Sequence, residues 1–474
     1  MCCSSVVIQI EILKKFATKI CLRFGKKCNK PPSNKLFSPY HSMREDFLAY
    51  LWQYQYFDRR QLATTDGEPL LVVAPGQPNT HAGPDFAQAQ VEIGGVRWAG
   101  AVELHGRTSD WLRHAHARDR AYDQVVLHVV WEHDLPSGDA RVARADGSHI
   151  PVLELRGRTD PLLVEKFHLL QAQDGIACAP QWSAVSPLTV LAMLDKALVQ
   201  RLERKAGEVL ARLAANHGDW EETTYQTLAK NFGFKVNAEP FLRLAQALPF
   251  RVLRKHAPDH LATEALLLGQ AGWLSGELAD PYLQQLQAEY RFLAHKYDLL
   301  PHQLAQHEWK LLRLRPANFP PVRLAQLAAL IHQRQSLFVN VIASLDFGPL
   351  RVWLGVAQSD YWRQHYLPGQ PNATAATLTG LGETSIDNII INSVAPLLAA
   401  YALHKGEEAY LERAISFLEQ LPAEANHITK RWAALGLALP HASDTQAVIE
   451  LYNEFCTPRR CLSCAIGASL VRPG

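Results

Sequence analysis

The sequence predicts an α/β domain with the element order α-β-β-β-α-β, followed by an all-α region that runs to the end of the chain. Three observations carry this reading. Between residues 85 and 131 apolar residues first alternate with polar ones and then form an unbroken run, the pattern of a half-buried hairpin followed by a central strand. From about Pro161 onward the spacing becomes that of amphipathic helices and stays so. With 474 residues, 48% hydrophobic and 20% charged, the chain has room for two or three ordinary soluble domains. The expected division is residues 1–42, 43–160 and 161–474.

Residues 1–42 hold eight of the 48 Lys/Arg (from Lys14 to Lys35) against a single acid, Glu11, and four of the eight cysteines. They lack a charged leader ahead of a clean apolar stretch and a small-residue cleavage site, so they do not read as a secretory signal. Met43 opens Met-Arg-Glu-Asp-Phe-Leu, a good helix start, and the segment before it is expected to be an extension outside the fold; a basic amphipathic arm is the alternative. Without it the net charge of +2 becomes −5, a mildly acidic body that argues against a broad nucleic-acid surface but leaves room for a local basic groove. No apolar run approaches the roughly 20 residues of a membrane-spanning helix, so no membrane partner is expected. Nothing in the sequence speaks to oligomeric state.

Within the body, Glu45 to Phe57 places Phe47, Leu48, Leu51, Tyr54 and Tyr56 at mostly helical spacing. Leu70 to Val73 reads as a short strand ended by Pro75-Gly76. Asp85 to Ile93 alternates Gln88, Gln90 and Glu92 with Ala87, Ala89, Val91 and Ile93; Gly94-Gly95 supplies the positive φ angles of a two-residue turn, and Val96 to His105 returns. Thr108 or Ser109 caps a helix reaching about Gln124, with Trp111, Ala115, Arg118 and Tyr122 on one stripe. Val125 to Trp131, apolar on both faces except at His128, is a central strand. A second strand pair is expected around Arg141-Val142-Ala143 and Pro151 to Leu155, across Asp146-Gly147. Helices are then expected over Leu188–Leu213, Tyr225–Asn231, Pro240–Leu248, Ala262–Leu274, Pro281–Tyr297, Arg323–Leu337, Asn388–Ala402 and Glu407–Leu421, with breaks at Pro316, Pro320-Pro321 and Pro368 to Pro371.

Asp85, just after Pro84, and Glu103, near the end of the return strand, form a pair of acids that could meet on one hard cation, Mg²⁺ or Mn²⁺, together with the Leu104 carbonyl. Glu45 is a candidate third carboxylate, and His105 could orient a water or stabilise charge. The turn at Gly94-Gly95 pairs Ile93 with Val96 and, counted outward, Asp85 with Leu104, which turns Asp85 away from Glu103. A one-residue bulge repairs this, and Gly100 is the expected place. Without a cation the same residues make a Pro-Asp turn and a structural ion pair.

Three further groups stand out. His81, His105, His114 and His116 are close in sequence, but on a helix His114 and His116 lie about 200° apart, so at most one is expected to join His105 on a metal. Cys456, Cys461 and Cys464 have the C-x4-C-x2-C spacing of metal ligands, for zinc or an iron–sulfur cluster, with Cys178, His427 or His441 as fourth donor; three buried free thiols are the alternative. Lys310, Arg313, Arg315, Asn318 and Arg323 either hold a phosphate or, more commonly, cap helices and pair with acids such as Glu308. Gly269-Gln270-Ala271-Gly272 follows no strand and reads as helix packing and a break.

The stretch from Met43 to Asp134 resembles the PD-(D/E)xK nuclease-like fold. Pro84-Asp85 matches its P-D, Glu103-Leu104-His105 stands where its E-x-K would, and Arg118 and Tyr122 occupy the place of the Q-x-x-x-Y of RecB-like members. His105 in place of Lys and Arg118 in place of Gln are departures. The resemblance implies a metal-dependent nuclease acting on DNA or RNA, with Asp85, Glu103, His105, Glu45, Arg118 and Tyr122 at its site and the helical region positioning substrate. A degenerate nuclease fold serving as a binding or assembly module is the second expectation. Cys178 with Cys456, Cys461 and Cys464 is similar to the one-distant, three-clustered arrangement that holds an iron–sulfur cluster in some RecB-like nucleases, although here Cys178 follows the nuclease-like core. From Met43 on, the chain also resembles a family of uncharacterised bacterial proteins, in Gly83 to Phe86, Val102 to His105, Arg315 to Pro320 and Cys456 to Gly467, which implies a bacterial cytoplasmic protein.

Overall fold

The computed structural model describes residues 43–79, 82–136, 142–372 and 378–472. The expectations for residues 1–42, for His81 and for Arg141 lie outside the described residues. The chain divides into two units, residues 1–161 and 162–474.

The first unit is built on a mixed sheet. Its strands are β1 (Leu70–Ala74), β2 (Gln77–Pro78), β3 (Phe86–Ile93), β4 (Val96–Arg107), β5 (Val125–Glu132) and β6 (Val152–Glu154). They lie in the order β1-β3-β4-β5-β6, with β2 also on β3. Pairing is antiparallel from β1 to β4 and parallel from β4 through β5 to β6. The helix α1 (Glu45–Tyr54) packs on β4 through an apolar stripe that buries Phe47, Leu48, Tyr50, Leu51 and Trp52. β5 is interior, as its two apolar faces require: Val125 to Val130 are all buried.

The β3–β4 turn is as expected, with Gly94 at φ 57°, Gly95 at φ 81° and Ile93 opposite Val96. The bulge is not at Gly100. Phe86 faces Val102 and Ala89 faces Gly100, so the extra residue lies on β3, where Gln88 adopts a left-handed φ of 58°. Gly100 instead allows a close approach between β4 and β5, since a Cβ there would sit 2.4 Å from the Gln124 carbonyl oxygen and 2.5 Å from Val126 Cγ1. The bulge reverses the phase of the alternation, so Phe86 is buried and Ala87, expected inside, is exposed.

The helix expected from Ser109 to Gln124 is mostly absent. Only α2 (Asp110–Arg113) forms, followed by two 3₁₀ turns, His116–Arg118 and Arg120–Tyr122. Ala115, at φ 57°, breaks the first, and the extended Asp119 accepts the Ala121 N–H to start the last. Beyond Trp111 the segment buries nothing that would stabilise a long helix. Trp111 instead joins Val125, Val130, Val142, Ile150 and Val152 in a core cluster and donates its indole N–H to the Ala143 carbonyl. Among the described residues the second strand pair reduces to an Ala143–His149 bridge, while Val152–Glu154 adds to β5 in parallel, where Val152 and Leu153 are buried.

In the second unit the expected helices form within a few residues of their anticipated ends: Pro187–Ala215, Trp220–Phe232, Ala238–Ala247, His260–Gln270, Pro281–Lys296, Pro320–Gln333 and Ala409–Gln420. The glycines of Gly269 to Gly272 are packing and break, since a Cβ on Gly269 would sit 2.1 Å from the Tyr290 ring and Gly272 has φ 81°. The helix expected from Asn388 runs from Glu383 to Lys405 with a π turn at Ile390–Val394. Contrary to the sequence expectation, this stretch is long and apolar enough to cross a membrane; 78% of its apolar window is buried inside the protein, as in a core helix.

Candidate metal centre

The bulge at Gln88 places Asp85 across from Glu103, and the two acids interlock. Asp85 Oδ2 accepts the Leu104 N–H at 2.9 Å, and Glu103 Oε2 accepts the Asp85 N–H at 3.1 Å. Each carboxylate is thus held by the other's strand through one oxygen. Glu45 stands at the exposed rim, on the first turn of α1, close enough for its charge to act on both. Burial pushes Asp85 up to about 6, the Leu104 N–H opposing and Glu45 adding. Burial and then the Asp85 charge push Glu103 up to about 8. Glu45 is raised as well, by burial first, with His114 opposing. Among the described residues neither Asp85 nor Glu103 has an ion pair with Lys or Arg; the partners of Glu103 are histidines.

Those histidines correct the sequence expectation. His114 and His116 both reach His105, because Ala115 turns the chain left-handed between them instead of continuing a helix. His105 Nε2 lies 3.0 Å from His114 Nδ1 and 3.3 Å from His116 Nε2, and Glu103 Oε1 lies 3.5 Å from both His105 Nε2 and His116 Nε2. On the other side His105 Nδ1 meets Nε2 of His128, fully buried on β5, at 2.9 Å. Burial first, then His116 and His114, hold His105 down to about 3; His116 and His128 are lowered too, by burial first. The rings are therefore neutral near pH 7, and His105 supplies no fixed positive charge.

Tyr122 closes the group. Its ring centroid lies 3.8 Å from that of His116, and burial and the Glu103 charge raise its hydroxyl. Arg118, four residues earlier, sits on the other 3₁₀ turn, exposed, without a hydrogen bond to the carboxylates. The structure thus gathers Asp85, Glu103, His105, Glu45 and Tyr122, and leaves Arg118 outside. Sequence reasoning allowed only one of His114 and His116 beside His105, and it gave His128 no part in the site. Reading Ala115 as a break would have found the first two.

In the second unit Cys178, Cys456, Cys461 and Cys464 are buried, none of them in a disulfide, and line one cavity of about 20 Å³ with Ala177, Phe455 and Gly467. His427 and His441, the alternative donors, do not line it. Cys456 ends a π turn, Cys461 begins a 3₁₀ turn, and Cys464 precedes the last helix, its sulfur accepting the N–H groups of Gly467 and Ile466. Gly467 is required there, since a Cβ would sit 2.3 Å from the Cys461 carbonyl oxygen. Burial pushes Cys178 up to about 12, and the neighbouring Cys464 and Cys461 add to it. Arg323 is buried and bonded to Gln326, Asn318 and Ser385, so it holds the Asn318 loop to its helix, while Arg243 pairs with Glu308.

Residues 45–427 match a family model described as "Protein of unknown function (DUF2851)". No curated protein and no solved structure matches the chain.

Proposed function

We propose a function from the premise that the chain belongs to this family of proteins of unknown function: its first unit is a PD-(D/E)xK-like, metal-dependent hydrolase acting on phosphodiesters of DNA or RNA. One observation carries the reading. Two interlocked acids on adjacent strands, raised to about 6 and about 8, have no Lys or Arg partner among the described residues, which suits a divalent cation between them. Asp85 and Glu103 would hold Mg²⁺ or Mn²⁺, with Glu45 at the rim binding a coordinated water. A cation there supplies a polarised phosphate and a water of lowered pKa. Tyr122, kept protonated, can donate a hydrogen bond to a phosphate oxygen near Glu103. A polyanion also suits the second unit, where Arg251 and Lys255 line a cleft of about 900 Å³ that Asp298 and the Glu308-paired Arg243 line as well. Favouring the second reading, a catalytically silent binding module, is the neutral His105 where a cationic Lys would be expected.

The four thiols around one cavity support an iron–sulfur cluster or zinc centre as a clasp on the C-terminal helices.

Cleavage of single- and double-stranded DNA and RNA with Mg²⁺ or Mn²⁺ tests the hydrolase. Asp85→Ala and Glu103→Ala should each lower the rate by about 100-fold or more while the metal-free protein stays folded. Wild-type protein that cleaves none of these substrates, or Glu103→Ala that cleaves as well as wild type, removes the reading.

A further inference from the structure

The two oxygens of Glu103 face different neighbours. Oε2 accepts the Asp85 N–H with one of its lone pairs, whereas Oε1 points to Nε2 of His105 and of His116. Around His105 Nε2 three atoms crowd at 3.0, 3.3 and 3.5 Å: His114 Nδ1, His116 Nε2 and Glu103 Oε1. A ring nitrogen offers one proton or one lone pair in its plane, so hydrogen bonding serves one of these neighbours and leaves the others facing each other. A cation satisfies all of them. Ligand atoms about 2.0–2.1 Å from a tetrahedral ion lie roughly 3.4 Å apart, close to the spacing found.

We infer that His105, His114 and His116, completed by Glu103 Oε1, form a site for one first-row transition cation of the zinc type, distinct from the hard-cation position between Asp85 and Glu103. Three imidazole nitrogens select such an ion over Mg²⁺. His128 supports the site independently. Its Nε2 bonds the far nitrogen of His105, the outer partner that orients a ligating ring, while its own Nδ1 is buried with no partner among the described residues. The left-handed backbone of Ala115 is a further sign, since a non-glycine residue in that conformation is strained and this one serves to bring two imidazoles together. His114 is exposed, so the site opens to solvent on that side. The two cation positions would share Glu103, one oxygen each.

The site needs only the imidazoles and Glu103, so it stands or falls apart from the hydrolase reading. The test uses the full chain, substrate-free, with Co²⁺ as a coloured probe and Zn²⁺ as competitor, followed by calorimetry and visible absorption. Wild type and Asp85→Asn should bind one Co²⁺ per chain without thiolate-to-cobalt absorption, which sets it apart from a cation at the four cysteines, and Zn²⁺ should displace it. His114→Ala and His116→Ala, whose folding is checked by circular dichroism, should bind about 100-fold more weakly. Wild type that binds no Co²⁺, histidine variants that bind as tightly as wild type, or binding lost only in Asp85→Asn would each overturn the inference. Protein that binds Co²⁺ as expected yet cleaves no phosphodiester with any cation removes the hydrolase reading alone.

Discussion

At the scale of single residues, the first unit stores its chemistry as displaced proton equilibria. Glu103, ordinarily a carboxylate near 4.5, holds its proton up to about 8 in the folded metal-free protein. Between those values the folded state binds more protons than the unfolded state, so this group makes stability fall as pH rises. Asp85 acts in the same direction up to about 6. His105 and His128 act oppositely, because their folded-state pKa values are lowered; their stabilisation is present above about 6.5 and is lost as pH falls. Above pH 6.5 only the Glu103 effect remains of these four. Thermal unfolding in chelator should therefore show stability declining from pH 6.5 to 8, and Glu103→Gln should flatten that decline. Equal slopes in the two proteins would mean that Glu103 is not displaced as described.

At the scale of elements, the site depends on two left-handed residues, Gln88 and Ala115, neither of them glycine. Gln88→Gly keeps the bulge and relieves its backbone, and should raise stability by up to about 1 kcal/mol in denaturant titration; Gln88→Val should lower it, because a β-branched residue resists that φ. Gly100→Ala should cost about 1–3 kcal/mol, since its methyl group meets the Gln124 carbonyl across a closed strand interface. A Gly100→Ala protein as stable as wild type would place that contact wrongly. These elements also mark where the sequence could be read. The hairpin, the central strand and the need for a bulge followed from period and turn chemistry. The bulge position did not, because alternation over Ala87, Ala89, Val91 and Ile93 looked unbroken; the telling feature was Phe86, apolar and out of phase. The segment after Ser109 misled more deeply. Trp111, Ala115, Arg118 and Tyr122 are spaced as on a helix, but a stripe with one buried anchor gives a helix little to pack against.

At the scale of the molecule, the longer helices of the second unit were legible, since each announces its buried stripe within a dozen residues; shorter ones such as Phe250–His256 and Ala442–Leu451 were not, nor was the strand pair His365–Leu367 and Gln370–Pro371, which departs from the expected all-α region. What the sequence could only suggest was convergence between distant positions. Cys178 lies far from Cys456, Cys461 and Cys464 in the chain, and the shared cavity is a product of the whole unit's packing. The same is true of Glu45 beside Asp85 and of His128 beneath His105. Protein purified without oxygen should carry iron with acid-labile sulfide, or one zinc, lost in Cys178→Ser together with a lower melting temperature. Metal-free, colourless wild type of unchanged stability would leave four buried thiols and no clasp.

The left-handed turn at Ala115 divides the histidine set into unlike halves. Glu103 and His105 belong to an interior strand flanked on both sides, whereas His114 and His116 hang from a short surface turn. A bound ion would then be gripped by one stiff wall and one adjustable one. Ionic radius would be absorbed by the turn, and hydrogen–deuterium exchange at residues 114–119 should vary with the cation supplied while that of β4 stays constant.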